Sequence, residues 1–227
     1  MHDCNTCPVR DHAACAALDP EQRSALARLG HHRRLKKGET VFHAGDDSVV
    51  CATLLTGALK IAECDSEGNE HIVSLVHPAG FVGELFAPIS QYNVIAIADS
   101  ELCVFSRTQH AEALANFPAL ATALLRRSNA ELYEARSLMS LMGRNSAQAR
   151  VAGLLLSLSS AASPSNCTPA THFDLPLSRA EMANLLGITI ETVSRQISKF
   201  ELAGLARRSG RRGMTIINRA ALVQLVG

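Results

Sequence analysis

No run of apolar residues in this 227-residue sequence approaches the ~20 that a bilayer-crossing helix needs. The first residues carry acids, cysteines and His2 where an export signal would carry a basic and then an apolar stretch, so a cytoplasmic address is expected. Net charge is nearly absent as well, at +1. No nucleophile elbow, phosphate loop, His-Glu-x-x-His or dinucleotide fingerprint occurs, which leaves an enzyme as the reading with least support. No internal repeat is visible. What remains is a chain with 47% hydrophobic residues, long enough for two modest globular domains.

The near-zero charge hides an asymmetry. Ser178 to Gly227 holds eight Lys or Arg against three Glu, so this end carries +5 and the preceding 177 residues carry −4. One end suits a polyanion and the other does not. Cysteine is plentiful: Cys4, Cys7, Cys15, Cys51, Cys64, Cys103 and Cys167. In a reducing compartment these do not form a disulfide framework, so clustering among them points to metal, redox chemistry or core packing.

The chain falls into four stretches: a cysteine-bearing lead (1–18), a first domain (19–117), a long helix (118–144) and a C-terminal domain (145–227). Asp19 is placed to cap a short helix from Pro20 to Leu29. From Leu35 to Phe105 short apolar runs are punctuated by Gly38, Gly45, Gly57, Gly68 and Gly80, the pattern of an antiparallel roll with tight turns. The fold class is therefore α+β. From Pro118 to about Met142 a long helix is expected, with Leu125, Ser128, Leu132, Ala135, Met139 and Met142 at alternating three- and four-residue steps. Leu124, Leu138 and Leu141 form a neighbouring stripe. Two stripes let one helix serve its own domain and a partner helix, which predicts a homodimer. A further helix is expected over Asn145–Ser159, then a loop from Ser160 to Thr171.

Ser178-Arg179-Ala180-Glu181 is a capping box that starts a helix, and Gly187 permits the sharp turn after it. Thr189 can cap the next helix, whose Val193, Ile197 and Phe200 point inward. Glu191, Thr192, Ser194, Arg195, Ser198 and Lys199 then face outward, where a recognition helix meets base edges in the major groove of double-stranded DNA. Arg195 can bond bidentately to guanine and Glu191 can accept from a cytosine amino group. Glu191 and Arg195, four apart, can also pair with each other in free protein. Ala206 to Ile217 reads as a two-stranded wing whose basic tip, with Arg211 and Arg212, can hold phosphates.

Lys37-Gly38-Glu39, Gly45-Asp46, Gly57, Gly68 and Gly83-Glu84-Leu85, together with Leu186-Gly187-Ile188-Thr189-Ile190-Glu191-Thr192-Val193-Ser194-Arg195, resemble the signatures of the CRP/FNR family of transcription factors. The resemblance implies an N-terminal β-roll of the cyclic-nucleotide-binding kind, a dimerisation helix and a winged helix-turn-helix. In the FNR branch the positions of Glu191, Ser194 and Arg195 read DNA, which implies TTGAT-like half-sites in a palindrome and contacts with RNA polymerase. A cyclic-nucleotide receptor of the family needs an Arg about ten residues after Gly-Glu-Leu, but no Lys, Arg or His lies between Glu84 and Arg107. A buried phosphate without a cation is too costly, so no cyclic nucleotide is expected.

The spacing Cys4-x2-Cys7-x7-Cys15 is common to iron-sulfur and zinc sites and does not by itself choose between them. By the resemblance, Cys103 stands at the FNR branch's remote cluster cysteine, so Cys4, Cys7, Cys15 and Cys103 would hold an oxygen-labile [4Fe-4S] cluster that favours the DNA-binding dimer. Seven residues between Cys7 and Cys15 depart from the family's more usual five. Cys51, Cys64 and Cys167 are read as structural or incidental. Glu131 and Glu134 lie near the seam, where they would add repulsion between partner helices. Two alternatives stay open: a zinc ion with His2 or His12 as substitute ligand, and haem bound through His71, His77 or His110, each of these three being expected at the surface.

Overall fold

The computed structural model describes residues 4, 6–163 and 168–227, and the chain divides into two compact units, Met1–Glu134 and Ala135–Gly227. The division falls inside the long helix.

In the first unit a 3-10 turn at Ala14–Ala17 leads to α1 (Pro20–Leu29). Asp19 caps this helix in a full capping box with Gln22, the Asp19 carboxylate accepting the Gln22 N–H at 2.8 Å. Eight strands follow: β1 (His31–Leu35), β2 (Thr40–Phe42), β3 (Val50–Thr56), β4 (Leu59–Cys64), β5 (Glu70–Val76), β6 (Phe81–Val82), β7 (Asn93–Ala96) and β8 (Ser100–Ser106). They form two antiparallel four-stranded sheets in the orders β1-β8-β3-β6 and β2-β7-β4-β5. The inter-sheet core is made by Ala52, Leu54, Leu59, Val94, Leu102 and Val104. Helices α2 (Arg107–Asn116) and α3 (Pro118–Met142) come next.

Successive side chains of a strand point to opposite faces. In β8 that alternation sends Leu102 and Val104 into the inter-sheet core. It sends Cys103 and Phe105 to the outer face, where they join Leu18, Leu26, Ala113 and Leu120 from the lead and the helices. The outer face of β3 likewise presents Leu55 to Val9 and Ala13 of the lead. Burial of small apolar residues, each worth roughly 1–2 kcal/mol, thus seats the lead against the sheet.

The turn between β3 and β4 needs its glycine. Gly57 has φ +91°, and a Cβ there would overlap the Ser100 hydroxyl and the Asp99 carbonyl. Gly57→Ala is expected to destabilise the chain by upward of about 2 kcal/mol, since the left-handed backbone alone costs about 1–2 kcal/mol. A fall in the urea midpoint measures it.

The second unit contains the end of α3, then α4 (Ala147–Ala161), β9 (His172–Asp174), α5 (Arg179–Leu186), α6 (Ile190–Leu202), β10 (Ala206–Ser209), β11 (Gly213–Ile216) and α7 (Arg219–Val226). Val151, Leu155, Met182, Leu185, Val193 and Phe200 are almost wholly buried and form the heart of its core. The capping box is present: Ser178 N–H donates to Glu181 Oε2 at 2.7 Å and Glu181 N–H to Ser178 Oγ at 3.2 Å. Gly187 takes the left-handed conformation (φ 61°) that turns the chain from α5 to α6. Arg150 fixes the same corner by donating to the Leu186 carbonyl at 3.0 Å and the Arg144 carbonyl at 2.9 Å. The wing has three strands rather than two, in the order β10-β11-β9, because Phe173 pairs with Met214 and adds a short edge.

Candidate functional site

The first half of α6 is shaped by its cap. Thr189 Oγ1 accepts the Thr192 N–H at 3.3 Å, and Val193, Ile197 and Phe200 are buried along one face. Glu191, Ser194, Arg195, Ser198 and Lys199 are exposed on the other. Thr192 is half-buried rather than fully outward. Its hydroxyl accepts from Arg195 Nη2 at 3.1 Å and meets Thr189 Oγ1 at 3.0 Å. A backbone N–H and the Thr189 hydroxyl hold the Glu191 carboxyl below its ordinary pKa, with Arg195 adding a smaller attraction. The recognition face therefore presents a charged acceptor and a guanidinium, one turn apart, without a bulky neighbour between them.

Ile190, 46% exposed in the first turn of α6, joins this face although its apolar side chain gives no sign of it in the sequence. An apolar group at this point can meet a thymine methyl. In the wing, Gly210 (φ +62°) makes the turn and Arg207, Arg211 and Arg212 are exposed. Arg208 is engaged elsewhere: its backbone N–H donates to Glu201 Oε1 at 2.9 Å and its guanidinium pairs with the same carboxylate.

Cys4, Cys7 and Cys15 from the lead and Cys103 from β8 line a single cavity in the first unit. Val9 and Ala13 anchor the lead, and Arg23 of α1 ties its end by donating to the carbonyls of Cys15 (3.3 Å), Ala16 (3.3 Å) and Leu18 (2.9 Å). Phe81, Phe105, His110 and the α3 residues Leu120 and Leu124 complete most of the wall. Burial pushes the Cys15 thiol up to about 11, and repulsion from Cys7 and Cys4 adds to it. Cys103 is pushed up to about 12 by burial and then by Cys15, Cys4 and Cys7. The thiols are close enough to feel one another's charge.

Among the described residues no three His, Cys, Asp or Glu side chains converge tightly enough to hold one metal ion. Thiolates on one zinc sit within about 4 Å of each other. A four-iron cluster instead gives each thiolate its own iron, so four soft donors spread around a cavity wall fit that group better. Cys51 is fully buried in the neighbouring apolar cluster and Cys64 is exposed on the other sheet. Cys167 and His2 lie outside the described residues.

Along α3, Leu125 (71%), Leu132 (46%), Met139 (70%) and Met142 (38%) are exposed, as is Ser128, while Ala135 is half-buried. Leu124 and Leu141 of the neighbouring stripe are buried and Leu138 is half-buried. Glu131 differs from its expected place at the seam. It accepts the Phe81 N–H at 3.1 Å and pairs with Arg127 at 2.9 Å, so its charge is spent within its own unit.

Residues 149–225 match the family described as Crp-like helix-turn-helix domain, and residues 32–117 match Cyclic nucleotide-binding domain. Transcriptional activator protein FnrL of Cereibacter sphaeroides is 33% identical over 230 residues, spanning 100% of this chain and 93% of that protein. The chain belongs to the CRP/FNR family of transcription regulators. Nitrogen fixation regulation protein FixK of Bradyrhizobium diazoefficiens is another relative, 31% identical over 207 residues that span 89% of this chain and 85% of its own. The solved structure of FixK2 from Bradyrhizobium japonicum, 27% identical, superposes with a TM-score of 0.78 over 87% of this chain and 98% of that one. The expected β-roll and helix-turn-helix are thus both present, and this CRP/FNR chain is a DNA-binding transcription regulator. No helix among its described residues is long and apolar enough to cross a membrane.

Of the three histidines expected at the surface of this CRP/FNR regulator, His71 keeps that place, while His77 is half-buried and His110 is buried. His71 is exposed and paired with Asp65 at 3.2 Å. His110 is only 4% exposed, because α2 lies on the sheet's outer face and turns that residue inward. Burial, aided at His77 by Arg127, lowers both His77 and His110 from 6.5 to about 4. A depressed folded-state pKa contributes stability that is complete above pH 6.5 and lost as pH falls toward 4. Cys15 and Cys103 act oppositely in the thiol form: their raised pKa values contribute stability below pH 9.0 that disappears as pH climbs through 11 and 12. Metal-free protein is expected to show a plateau of urea midpoints between these limits, declining on both sides. A midpoint that stays flat from pH 7 to 4 would refute the buried neutral imidazoles.

Proposed function

We propose that this regulator acts as a twofold dimer that reads palindromic DNA with TTGAT-like half-sites, and that its affinity is set by oxygen through a [4Fe-4S] cluster held by Cys4, Cys7, Cys15 and Cys103. The observation that carries the reading is the gathering of these four thiols on one apolar cavity whose wall includes Leu120 and Leu124 of α3. The name of the relative FnrL, a transcriptional activator, agrees with a role in activation, for which contact with RNA polymerase is the expected route.

A bound cluster would supply an inorganic centre that oxygen can dismantle. The chain's own residues do the remainder. The thiols must give up protons to act as ligands, so loading is favoured at higher pH. Arg23 fixes the carbonyls around Cys15, and Val9 and Ala13 seat the lead. While the lead is held, Leu120 and Leu124 keep a packed wall, and the exposed Leu125 and Leu132 beside them stay in register for a second copy. Once the lead is released, that wall loses partners and the α3 seam loses definition. One recognition helix alone makes too few contacts for specific binding.

Cyclic nucleotide has little support as an alternative ligand. Arg107, the first cation after Glu84, donates its Nη1–H to the Ala87 carbonyl at 2.7 Å.

Protein purified without air and assayed for iron, sulfide and visible absorption tests the reading, with a mobility-shift assay on a TTGAT-type palindrome before and after exposure to air. Four iron and four sulfide per chain, with binding lost in air, is the expected result. Zinc in place of iron and sulfide, or binding indifferent to air, sinks it.

A further inference from the structure

Among the described residues lining the cysteine cavity, His110 is a buried imidazole whose chemistry the proposed cluster ligation leaves unused. It is 4% exposed, it lines the same cavity as Cys4, Cys7, Cys15 and Cys103, and its Nδ1 has no hydrogen-bond partner among the described residues. Burying a polar nitrogen without a partner is unfavourable, so such an atom calls for an explanation. Packing cannot supply one, because leucine or phenylalanine would fill an apolar wall without that cost.

Its orientation is fixed from two directions. The Phe81 and Phe105 rings lie against the imidazole, each with centroids 5.3 Å from it and tilted by 35° and 56°. Both phenylalanines also line the cavity. Along the chain, β8 runs directly into α2, so Cys103 and His110 sit on one short, rigid strand-to-helix junction capped by Ser106, whose hydroxyl accepts the Gln109 N–H at 3.2 Å. An imidazole held this way in the wall of a sulfur-lined hollow has few chemical partners there other than sulfur.

We infer that His110 is a positioning residue of this cavity, whose Nδ1–H donates a hydrogen bond to sulfur of the group bound there. The inference rests on the cluster reading given above. Hydrogen bonds to the sulfurs withdraw electron density and make an iron-sulfur centre harder to oxidise. His110 therefore sets how readily the loaded regulator responds to oxygen, without itself being a ligand.

The test uses full-length protein purified without air, as wild type, His110→Leu and His110→Gln, each normalised to its iron content. Resonance Raman bands of the iron-thiolate stretches and the rate of bleaching at a fixed oxygen concentration are the readouts. His110→Leu is expected to move the bands and to bleach about three- to tenfold faster, the effect of losing one hydrogen bond of about 0.5–1.5 kcal/mol. His110→Gln, which keeps an N–H, is expected to recover most of the wild-type rate. Wild-type bands should also shift in D2O by more than those of His110→Leu. A His110→Leu protein with wild-type iron, bands and rate overturns the inference while leaving the cluster intact. Should that variant fail to fold, wild-type bands that ignore D2O overturn it equally. Wild type that takes up no iron and sulfide overturns the cluster reading and this inference together.

Discussion

Arg195→Ala is expected to weaken binding to a TTGAT-type palindrome by about 2–6 kcal/mol, because a twofold dimer loses the same bidentate guanine contact in both half-sites. The change should leave the fold alone. Arg195 is exposed, and it donates to Thr192 Oγ1 at 3.1 Å on the surface. The loss should be concentrated at the guanine position: duplexes with that base pair replaced, already weak for wild type, should bind the variant nearly as well as the intact site does. Arg211→Ala in the wing offers the contrast. A phosphate contact carries no sequence information, so its removal should lower affinity for all duplexes alike and flatten the dependence on salt. Mobility-shift or anisotropy titrations at two salt concentrations separate the two behaviours. Discrimination unchanged by Arg195→Ala would remove α6 as the reading element.

The second large effect is expected at Cys103. In Cys103→Ala the visible absorption of air-free protein should vanish and its iron and sulfide should fall close to zero, since the lead's three thiolates would lack the thiolate that β8 contributes. Stability should change little. Cys103 is half-buried on the outer face of β8, and trimming one sulfur from such a place costs about 1 kcal/mol, which a thermal melt of the metal-free form checks. Air-free Cys103→Ala should then bind the palindrome as weakly as oxygen-exposed wild type. Cys51→Ala is the matched control: it lies in the same apolar cluster but does not line the cavity, and it should retain the absorption.

Parts of this molecule governed by long periodicity or by a named cap could be read directly from residues. The expected bounds of α1 and α3 agree with the observed helices, because Asp19 and Pro118 mark starts and the stripes of α3 run over many turns. The exposed Leu125, Leu132 and Met139 and the buried Leu124 and Leu141 sort as their spacing implies. Elements held by backbone pairing alone were silent. β1 reads His-His-Arg-Arg-Leu and buries only its leucine; a ladder with β8, from His31 opposite Val104 to Leu35 opposite Ser100, makes it a strand. α2 escaped notice because it buries only His110 and Ala113 and shows almost no apolar stripe.

The same contrast governs the sites. The spacing of Cys4, Cys7 and Cys15 announces soft ligands, but the company of Cys103 depends on strand alternation in a folded sheet and was available only through likeness to a family. His110 was misplaced at the surface since a polar residue in a polar-looking segment gives no sign that its helix lies flat on a sheet. Ile190 carried no signal of its place: an apolar residue beside a cap can pack inward or stand clear, and the start of α6 projects it outward.

Strand β8 divides its residues between two duties, Leu102 and Val104 filling the interior of the roll while Cys103 and Phe105 face the lead. Selection can therefore rewrite one set without disturbing the other. A roll of this architecture can exchange one stimulus for another by changing alternate letters of a single strand and the segment lying over it, with its stuffing, its turns and its output helix inherited unaltered.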